Sequence, residues 1–170
     1  MKNTLSSLLR LLLLGTLLCA LLGCQSTRRL LDFDTRAVID FQSLQGINPD
    51  TDGRPSPVVV RVFKLADQRQ FSREDFLNLY ENPEARLGKD LLGTLLLKEL
   101  APGEDRRETI ELSPDVRYLG LLAEFVQYQR ADAILILPIT DHNTNKFDVT
   151  LARVSLFDTH KRRESRYQTR

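Results

Sequence analysis

Apolar and polar residues alternate along most of the chain after its first 34 residues, and this pattern predicts β-strands. In the first strand, the side chains of Ala37, Ile39 and Phe41 fall on one face. The β-branched run around Val60 predicts a second, buried strand over roughly residues 57–66. Further strands are predicted within residues 91–100, 109–112, 117–128, 132–139 and 147–156.

These segments amount to seven or eight short strands separated by turns every 8–12 residues. The leucines of residues 91–100 also permit a helix, but the other segments read as strands. Such a spacing favours a mainly β fold, an antiparallel β-sandwich of two sheets, rather than a parallel α/β fold. We therefore predict a single sandwich domain over residues 35–158 and a C-terminal tail over residues 159–170.

One helical insertion is predicted after the second strand. Ser72 can cap it with Asp75 at the third helical position, and Phe71 is placed to contact Phe76 across the first turn. The residues from Pro83 provide a further turn that Gly88 can close. The buried face is predicted to contain Phe76, Leu77, Leu79 and Tyr80.

The N-terminal segment has a different pattern, since residues 11–23 are uncharged and mostly leucine. Lys2 and Arg10 are the only charges before residue 24. The run is shorter than the roughly 20 residues that a membrane-spanning helix needs. A basic start, a short apolar core and a small residue at its end are typical of a signal peptide, which we assign to residues 1–23.

The chain has two cysteines, Cys19 and Cys24, so a domain that begins at Cys24 has neither a disulfide nor a thiolate metal site. Gly23-Cys24 after two leucines looks like the lipobox of bacterial lipoproteins. We predict a diacylglycerol and an N-acyl chain on Cys24, no other cofactor, and a lipidated tether over residues 24–34. Gln25, in place of Asp, favours the outer membrane. An ordinary secretory signal and an N-terminal membrane anchor are the alternatives.

Charge and motifs argue against several functions. Without Lys2 and Arg10, the 24 lysines and arginines fall by two, against 23 acidic residues, so the net charge is close to −1. That balance is not typical of nucleic-acid binding. His142 and His160 have no metal-ligand spacing, and no nucleophile or phosphate-binding motif occurs. We predict a protein that binds another protein and is not an enzyme.

Residues 46–57, GINPDTDGRPSP, are predicted to form an exposed loop because of their prolines and turn residues. Prolines lower the entropy cost of binding, so this loop is the candidate partner-binding site. Arg54 with Asp50 or Asp52 can supply polar contacts, and Ile47 an apolar anchor. The alternative is a rigid connection without a partner. The candidate residues are Ile47, Asn48, Pro49, Asp50, Asp52, Gly53, Arg54, Pro55 and Ser56.

The basic tail, residues 159–170, is predicted to be a solvated terminus. The alternative is a contact with an acidic partner or an anionic lipid surface.

Three segments resemble one known family. INPDTDGRPSPVVVRVFKL, FSREDFLNLYENPEARLGKDLL and RYLGLLAEF, behind a lipobox, are similar to the TssJ/VasD (SciN-like) outer-membrane lipoproteins of the type VI secretion system. The resemblance covers the lipobox and roughly residues 36–128. It implies a transthyretin-like sandwich without enzymatic activity, attached to the inner leaflet of the outer membrane and facing the periplasm.

The resemblance also implies a partner. Such proteins bind the periplasmic C-terminal region of the inner-membrane protein TssM, which assembles with TssL, through the loop between the first two strands. That loop is residues 46–57 here. Two other functions stay open: a lipoprotein of another envelope system, pilotin-like or carrying a ligand, and a lipid-anchored hydrolase.

Overall fold

The computed structural model of the protein describes residues 35–162. The predicted signal peptide, the lipid site at Cys24, the tether and residues 163–170 of the tail lie outside these residues. Within residues 35–162, no helix is long and apolar enough to cross a membrane.

Two four-stranded sheets form the domain, which confirms the predicted two-sheet, mainly β fold. The first sheet has the order β4-β1-β7-β8 and the second the order β3-β2-β5-β6. All neighbouring strands are antiparallel except β1 and β7, which are parallel. The strands are β1 (Thr35–Ser43), β2 (Val60–Leu65), β3 (Leu91–Leu96), β4 (Asp105–Leu112), β5 (Tyr118–Ala123), β6 (Ile134–Pro138), β7 (Thr144–Ala152) and β8 (Ser155–Asp158).

The last predicted strand, residues 147–156, is two strands in the structure. β7 and β8 form a hairpin, and Arg153 between them has a positive φ of 53°. Glycine, Asn and Asp are the usual residues in that conformation. An arginine at this position therefore did not indicate a turn between β7 and β8.

The core lies between the sheets. The pattern of buried residues along a strand differs between β1 of the first sheet and β5 of the second. On β1, alternate side chains are buried, as predicted: Ala37, Ile39 and Phe41. On β5, residues 119–123 are all buried, so a simple alternation was the wrong expectation. The helical insertion covers the outer face of this strand, where a Cβ at Gly120 would overlap with the ring of Phe71.

The insertion is confirmed between β2 and β3, but its details differ from the prediction. It consists of 3-10 turns at Phe71–Arg73 and Gly88–Asp90 and of two short helices, α1 (Phe76–Glu81) and α2 (Pro83–Leu87). Asp75, not Ser72, caps α1, since its carboxylate accepts the N–H of Asn78 at 2.9 Å.

The buried face of the insertion is also narrower than predicted. In α1 only Leu79 is buried, while Leu77 and Tyr80 are exposed. Phe71 supplies the main buried ring and packs on Phe63 at 5.4 Å, rather than on Phe76. Phe76 instead stacks on Tyr80 and on Tyr128, with ring centres 5.7 Å and 4.8 Å apart.

The first residues of β1 mark one end of the sandwich, which we call the Thr35 end. There the hydroxyl of Thr35 donates to the Asp141 carboxylate at 2.9 Å, and this hydrogen bond lowers the pKa of Asp141. The opposite end, where β1 leads into residues 46–57, is called the loop end. Nine residues of β1 span about 30 Å, at roughly 3.3 Å per residue.

Candidate partner-binding surface

The loop of residues 46–57 has an inner part, which we call the base: the buried Ile47 and Asn48 and the half-buried Ser56. The side chain of Ile47 is fully buried in the core, and Asn48 is buried as well. The prediction that Ile47 is an exposed anchor for a partner is therefore wrong. Ile47 belongs to the hydrophobic core, and its N–H donates to the carbonyl of Leu44 at 3.2 Å just after β1 ends.

Asn48 holds the base together with both ends of its amide. Its side-chain NH₂ donates to the carbonyl of Pro57 at 2.7 Å, and its side-chain oxygen accepts the N–H of Val126 at 2.8 Å. Its own N–H donates to the carbonyl of Arg153 at 2.7 Å. The φ of Asn48 is 45°, a conformation that asparagine adopts more readily than most residues. The base is thus tied to two distant segments of the chain.

Ser56, near the C-terminal end of the loop, bonds to the two base residues near its N-terminal end. Its hydroxyl donates to the carbonyl of Asn48 at 2.6 Å, and its N–H donates to the carbonyl of Ile47 at 3.2 Å. These bonds fix the distance between the two arms of the loop before the chain reaches its exposed part.

The exposed part, which we call the tip, is residues 50–54. The carboxylate of Asp50 accepts the N–H groups of Asp52 at 2.9 Å and of Arg54 at 2.8 Å. Gly53, with a φ of 80°, donates its N–H to the carbonyl of Asp50 at 3.0 Å. These bonds define a compact turn in which the Asp side chain accepts hydrogen bonds from the backbone N–H groups that follow it. The tip is therefore ordered without a partner.

Arg54 is the most accessible charge of the tip, with 72% of its side chain exposed. Its guanidinium contacts Asp52 and lies 3.2 Å from the Asp50 carboxylate. Exposed ion pairs of this kind add about 0–1 kcal/mol to stability, so they orient the side chain more than they hold the fold. Arg54 therefore lies beside two carboxylates with most of its side chain in solvent.

Residues from two other segments complete the surface. An open cleft of about 460 Å³ separates the tip from these segments. The side chain of Gln127 donates to the carbonyls of Pro49 at 2.9 Å and Asp50 at 3.1 Å. Val126 is 56% exposed beside the base. The cleft is lined by Pro49, Asp50, Thr51, Gly53, Gln127, Arg130, Arg153 and Val154.

The sequence reasoning missed Val126, Gln127, Arg130 and Arg153. They lie at least 69 residues beyond the end of the loop in the chain and reach it only because β5 and β7 both end at the loop end. No local pattern indicates this. Asn48 bonds to Val126 at a separation of 78 residues, and only the strand order brings them together.

The two histidines lie elsewhere. His160 Nε2 is 2.7 Å from the Asp148 carboxylate on the outer face of the first sheet, and His142 lies at the Thr35 end beside Asp141. Among residues 35–162, no group of three or more His, Cys, Asp or Glu side chains is arranged to hold a metal ion. The guanidinium of Arg162 lies 4.0 Å from the centre of the Phe157 ring, so the start of the predicted tail packs on the domain.

The family assignment rests on a sequence model. The model of the type VI secretion lipoproteins, described as VasD, EvfM and TssJ, matches residues 35–154. The chain belongs to this family. It is a family of secretion-system lipoproteins rather than a known enzyme family. No curated protein sequence matches the chain.

Solved structures agree with the assignment. TssJ1 of Pseudomonas aeruginosa, a type VI secretion lipoprotein, is 29% identical, with a TM-score of 0.69 over 74% of this chain and 95% of that one. Lip of Serratia marcescens, a membrane-bound component of a type VI system, is 20% identical, with a TM-score of 0.68 over 74% and 96%. A chain of a type VI membrane complex is 20% identical, with a TM-score of 0.63 over 73% and 97%.

Proposed function

We propose that the protein is an outer-membrane lipoprotein that tethers the TssM/TssL assembly of a type VI secretion system to the outer membrane. Acyl chains on Cys24 hold it in the inner leaflet, and the tip, with Val126, Gln127, Arg130 and Arg153, binds the periplasmic C-terminal region of TssM. The observation that carries the proposal is the preorganised, exposed tip at the end of β1 opposite to Thr35.

The position of β1 suits a tether. Ten residues separate Cys24 from Thr35, and β1 then runs directly to the loop. β1 lies between β4 and β7 and bonds to both along its length. A force applied between the anchor and the loop therefore acts along a strand that is bonded on two sides, and many hydrogen bonds must shear together before it moves.

The chemistry of the surface suits a protein partner. Arg130 and Arg153 are exposed and form no ion pair within residues 35–162, so their charges can meet acidic groups of a partner. Val126 and Pro49 provide apolar contact beside them. A tip that is already ordered loses little entropy on binding.

A further solved structure supports the partner. It is described as the TssM C-terminal domain (869–1107) from EAEC, and it contains a chain 19% identical to this one, with a TM-score of 0.61 over 73% of this chain and 97% of that chain. A chain of 170 residues cannot cover 97% of a fragment that spans 869–1107, so the matched chain is a shorter one. A domain of this fold and the TssM domain thus occur in one structure.

The anchor is tested by Cys24→Ser in cells that produce the full chain. We expect the variant to be absent from the outer-membrane fraction. Two or more acyl chains give stable attachment, and a chain without them lacks its anchor. A variant that stays in the outer-membrane fraction would disprove the lipid anchor.

The partner surface is tested by Arg54→Glu in the same cells. We expect TssM to be lost from the material that co-purifies with the protein after detergent extraction. The matched control is Arg69→Glu, because Arg69 is also exposed and also pairs with an Asp two positions earlier. Equal recovery of TssM with both variants would refute the assignment of the tip.

A further inference from the structure

Most of the residues that the proposed surface takes from outside the loop lie in residues 124–130, which follow β5. They are Val126, Gln127 and Arg130. The loop holds this segment on one side, since the N–H of Val126 donates to Asn48 at 2.8 Å and the side chain of Gln127 donates to the tip at 3.1 Å. The other side of the segment contacts the helical insertion. The contacts on that side therefore also decide where the binding residues lie.

Tyr128 joins this segment to the insertion through a stack of three aromatic rings. The ring of Tyr128 lies on the ring of Phe76 in α1, with centres 4.8 Å apart and an angle of 17° between the planes. Phe76 in turn lies on Tyr80, one helical turn later, at 5.7 Å and 12°. Offset stacking at such distances is favourable beyond the burial of apolar surface. The stack thus begins on α1 and ends one residue after Gln127.

Arg61 of β2 ties the far end of the stack to the sheet. Its guanidinium lies over the ring of Tyr80, 5.0 Å from the ring centre, and donates to the carbonyl of Tyr80 at 3.1 Å. Arg61 Nε also donates to the carboxylate of Glu124 at 2.9 Å. The side chains of Arg61 and Glu124 are only 19% and 18% exposed, and charge-assisted hydrogen bonds are stronger than neutral ones. Arg61 therefore holds both the end of α1 and the start of the 124–130 segment.

The contact between Phe76 and Tyr128 lies at the margin of the fold and not inside its core. Both rings border an open cleft of about 500 Å³, which Leu77 and Ile134 also line. Phe76 is half-buried and packs on the edge of the hydrophobic core, so its own position is fixed. A side chain without a ring at position 76 would leave Tyr128 without its stacking neighbour beside open space.

We propose that Phe76 is a positioning residue for the partner-binding surface: through Tyr128 it holds residues 126–130 in the conformation that binds TssM, without touching TssM itself. A segment that is already held in place loses less entropy when a partner binds it. The helical insertion thereby sets the affinity of a surface to which it contributes no contact. The effect on affinity rests on the proposed binding of TssM, whereas the positioning of the segment does not.

Amide hydrogen exchange of the full-length protein, extracted in detergent, tests the positioning without a partner. Phe76→Leu keeps an apolar side chain but removes the ring. We expect the amides of residues 126–131 to exchange about three- to tenfold faster, which corresponds to the loss of one aromatic pair during local opening. Phe76→Tyr keeps the ring and should retain the slow exchange of the wild type. Exchange of residues 126–131 that does not change in Phe76→Leu would overturn the proposal.

Phe147→Leu is the matched control for a general loss of stability. Phe147 is also a half-buried phenylalanine that packs on the edge of the core, but it lies on β7 of the first sheet. A purely structural effect of losing a ring would speed exchange at residues 126–131 in both variants. We expect faster exchange there in Phe76→Leu alone, and an equal increase in Phe147→Leu would refute a specific role of Phe76.

The dissociation constant for the periplasmic C-terminal region of TssM tests the consequence for binding. Phe76→Leu should weaken binding about three- to tenfold, while Phe147→Leu binds as the wild type does. Because Phe76 acts through Tyr128, Phe76→Leu combined with Tyr128→Leu should bind no more weakly than Tyr128→Leu alone. Losses that add in the double variant would show that Phe76 acts by another route and would contradict the proposal.

Arg130→Glu distinguishes a failure of this inference from a failure of the proposed function. Arg130 is an exposed residue of the same segment, so this variant should lose affinity for TssM. Weaker binding by Arg130→Glu together with unchanged binding by Phe76→Leu would overturn the inference and leave the proposed function standing. Unchanged binding by Arg130→Glu would count against the TssM surface itself, while faster exchange in Phe76→Leu would still support the positioning of the segment.

Discussion

The base and the tip of the loop lie within ten residues of each other, yet they have different structural roles. The base is buried and bonded to segments that end at the loop end, while the tip is exposed and bonded almost only to itself. Both carry the composition of a turn-rich loop, so composition does not separate them. The contrast divides the candidate binding residues into those that maintain the fold and those that are free to meet a partner.

Changes in the base should therefore act on stability, and the largest effect is expected at Ile47. Ile47→Asp places a carboxylate in a fully buried apolar site and should unfold the domain or leave its carboxyl group protonated. Denaturant unfolding should show a loss of about 4 kcal/mol or more. Ile47→Val is the control, with an expected loss of about 0.5–1.5 kcal/mol. Near wild-type stability of Ile47→Asp would mean that the base is open to solvent.

The next effect is expected at Asn48. Asn48→Ala leaves the N–H of Val126 and the carbonyl of Pro57 without their partners, and alanine adopts the positive φ of this position less readily than asparagine. We expect a loss of about 2–3 kcal/mol in the free energy of unfolding. Asn48→Gly should lose about 1 kcal/mol less, because glycine accepts that φ. Equal losses for the two variants would show that the backbone conformation contributes nothing.

A smaller effect is expected at Ser56. Ser56→Ala removes one hydrogen bond, to the carbonyl of Asn48, and should reduce stability by about 1 kcal/mol in the same measurement. Its binding to TssM should stay close to that of the wild type, since the hydroxyl faces the base. A loss of binding at unchanged stability would place Ser56 in the contact surface instead.

The fold could be predicted from the sequence wherever a pattern is local. Alternation in β1, the β-branched run of β2 and the turn residues between the strands all translate directly into structure. The prediction was wrong where distant segments decide the environment. β5 is buried on both faces because Phe71 lies on Gly120, and Ile47 belongs to the core although its neighbours in sequence are turn residues.

The candidate surface could be predicted in part. Asp50, Asp52, Gly53 and Arg54 form an exposed turn, which the turn chemistry of these residues indicates. Their neighbours across the cleft could not be predicted, because only the order of the strands brings Gln127 and Arg153 to the loop. Sequence patterns describe one segment at a time, and a binding surface joins several.

One measurement tests the division between base and tip most directly. The dissociation constant for the periplasmic C-terminal region of TssM and the free energy of unfolding are measured for Arg54→Glu and Ser56→Ala alongside the wild type. The account predicts that Arg54→Glu weakens binding about tenfold or more while stability stays within about 0.5 kcal/mol, and that Ser56→Ala does the reverse. Unchanged binding by Arg54→Glu would contradict the claim that the tip is the contact with TssM.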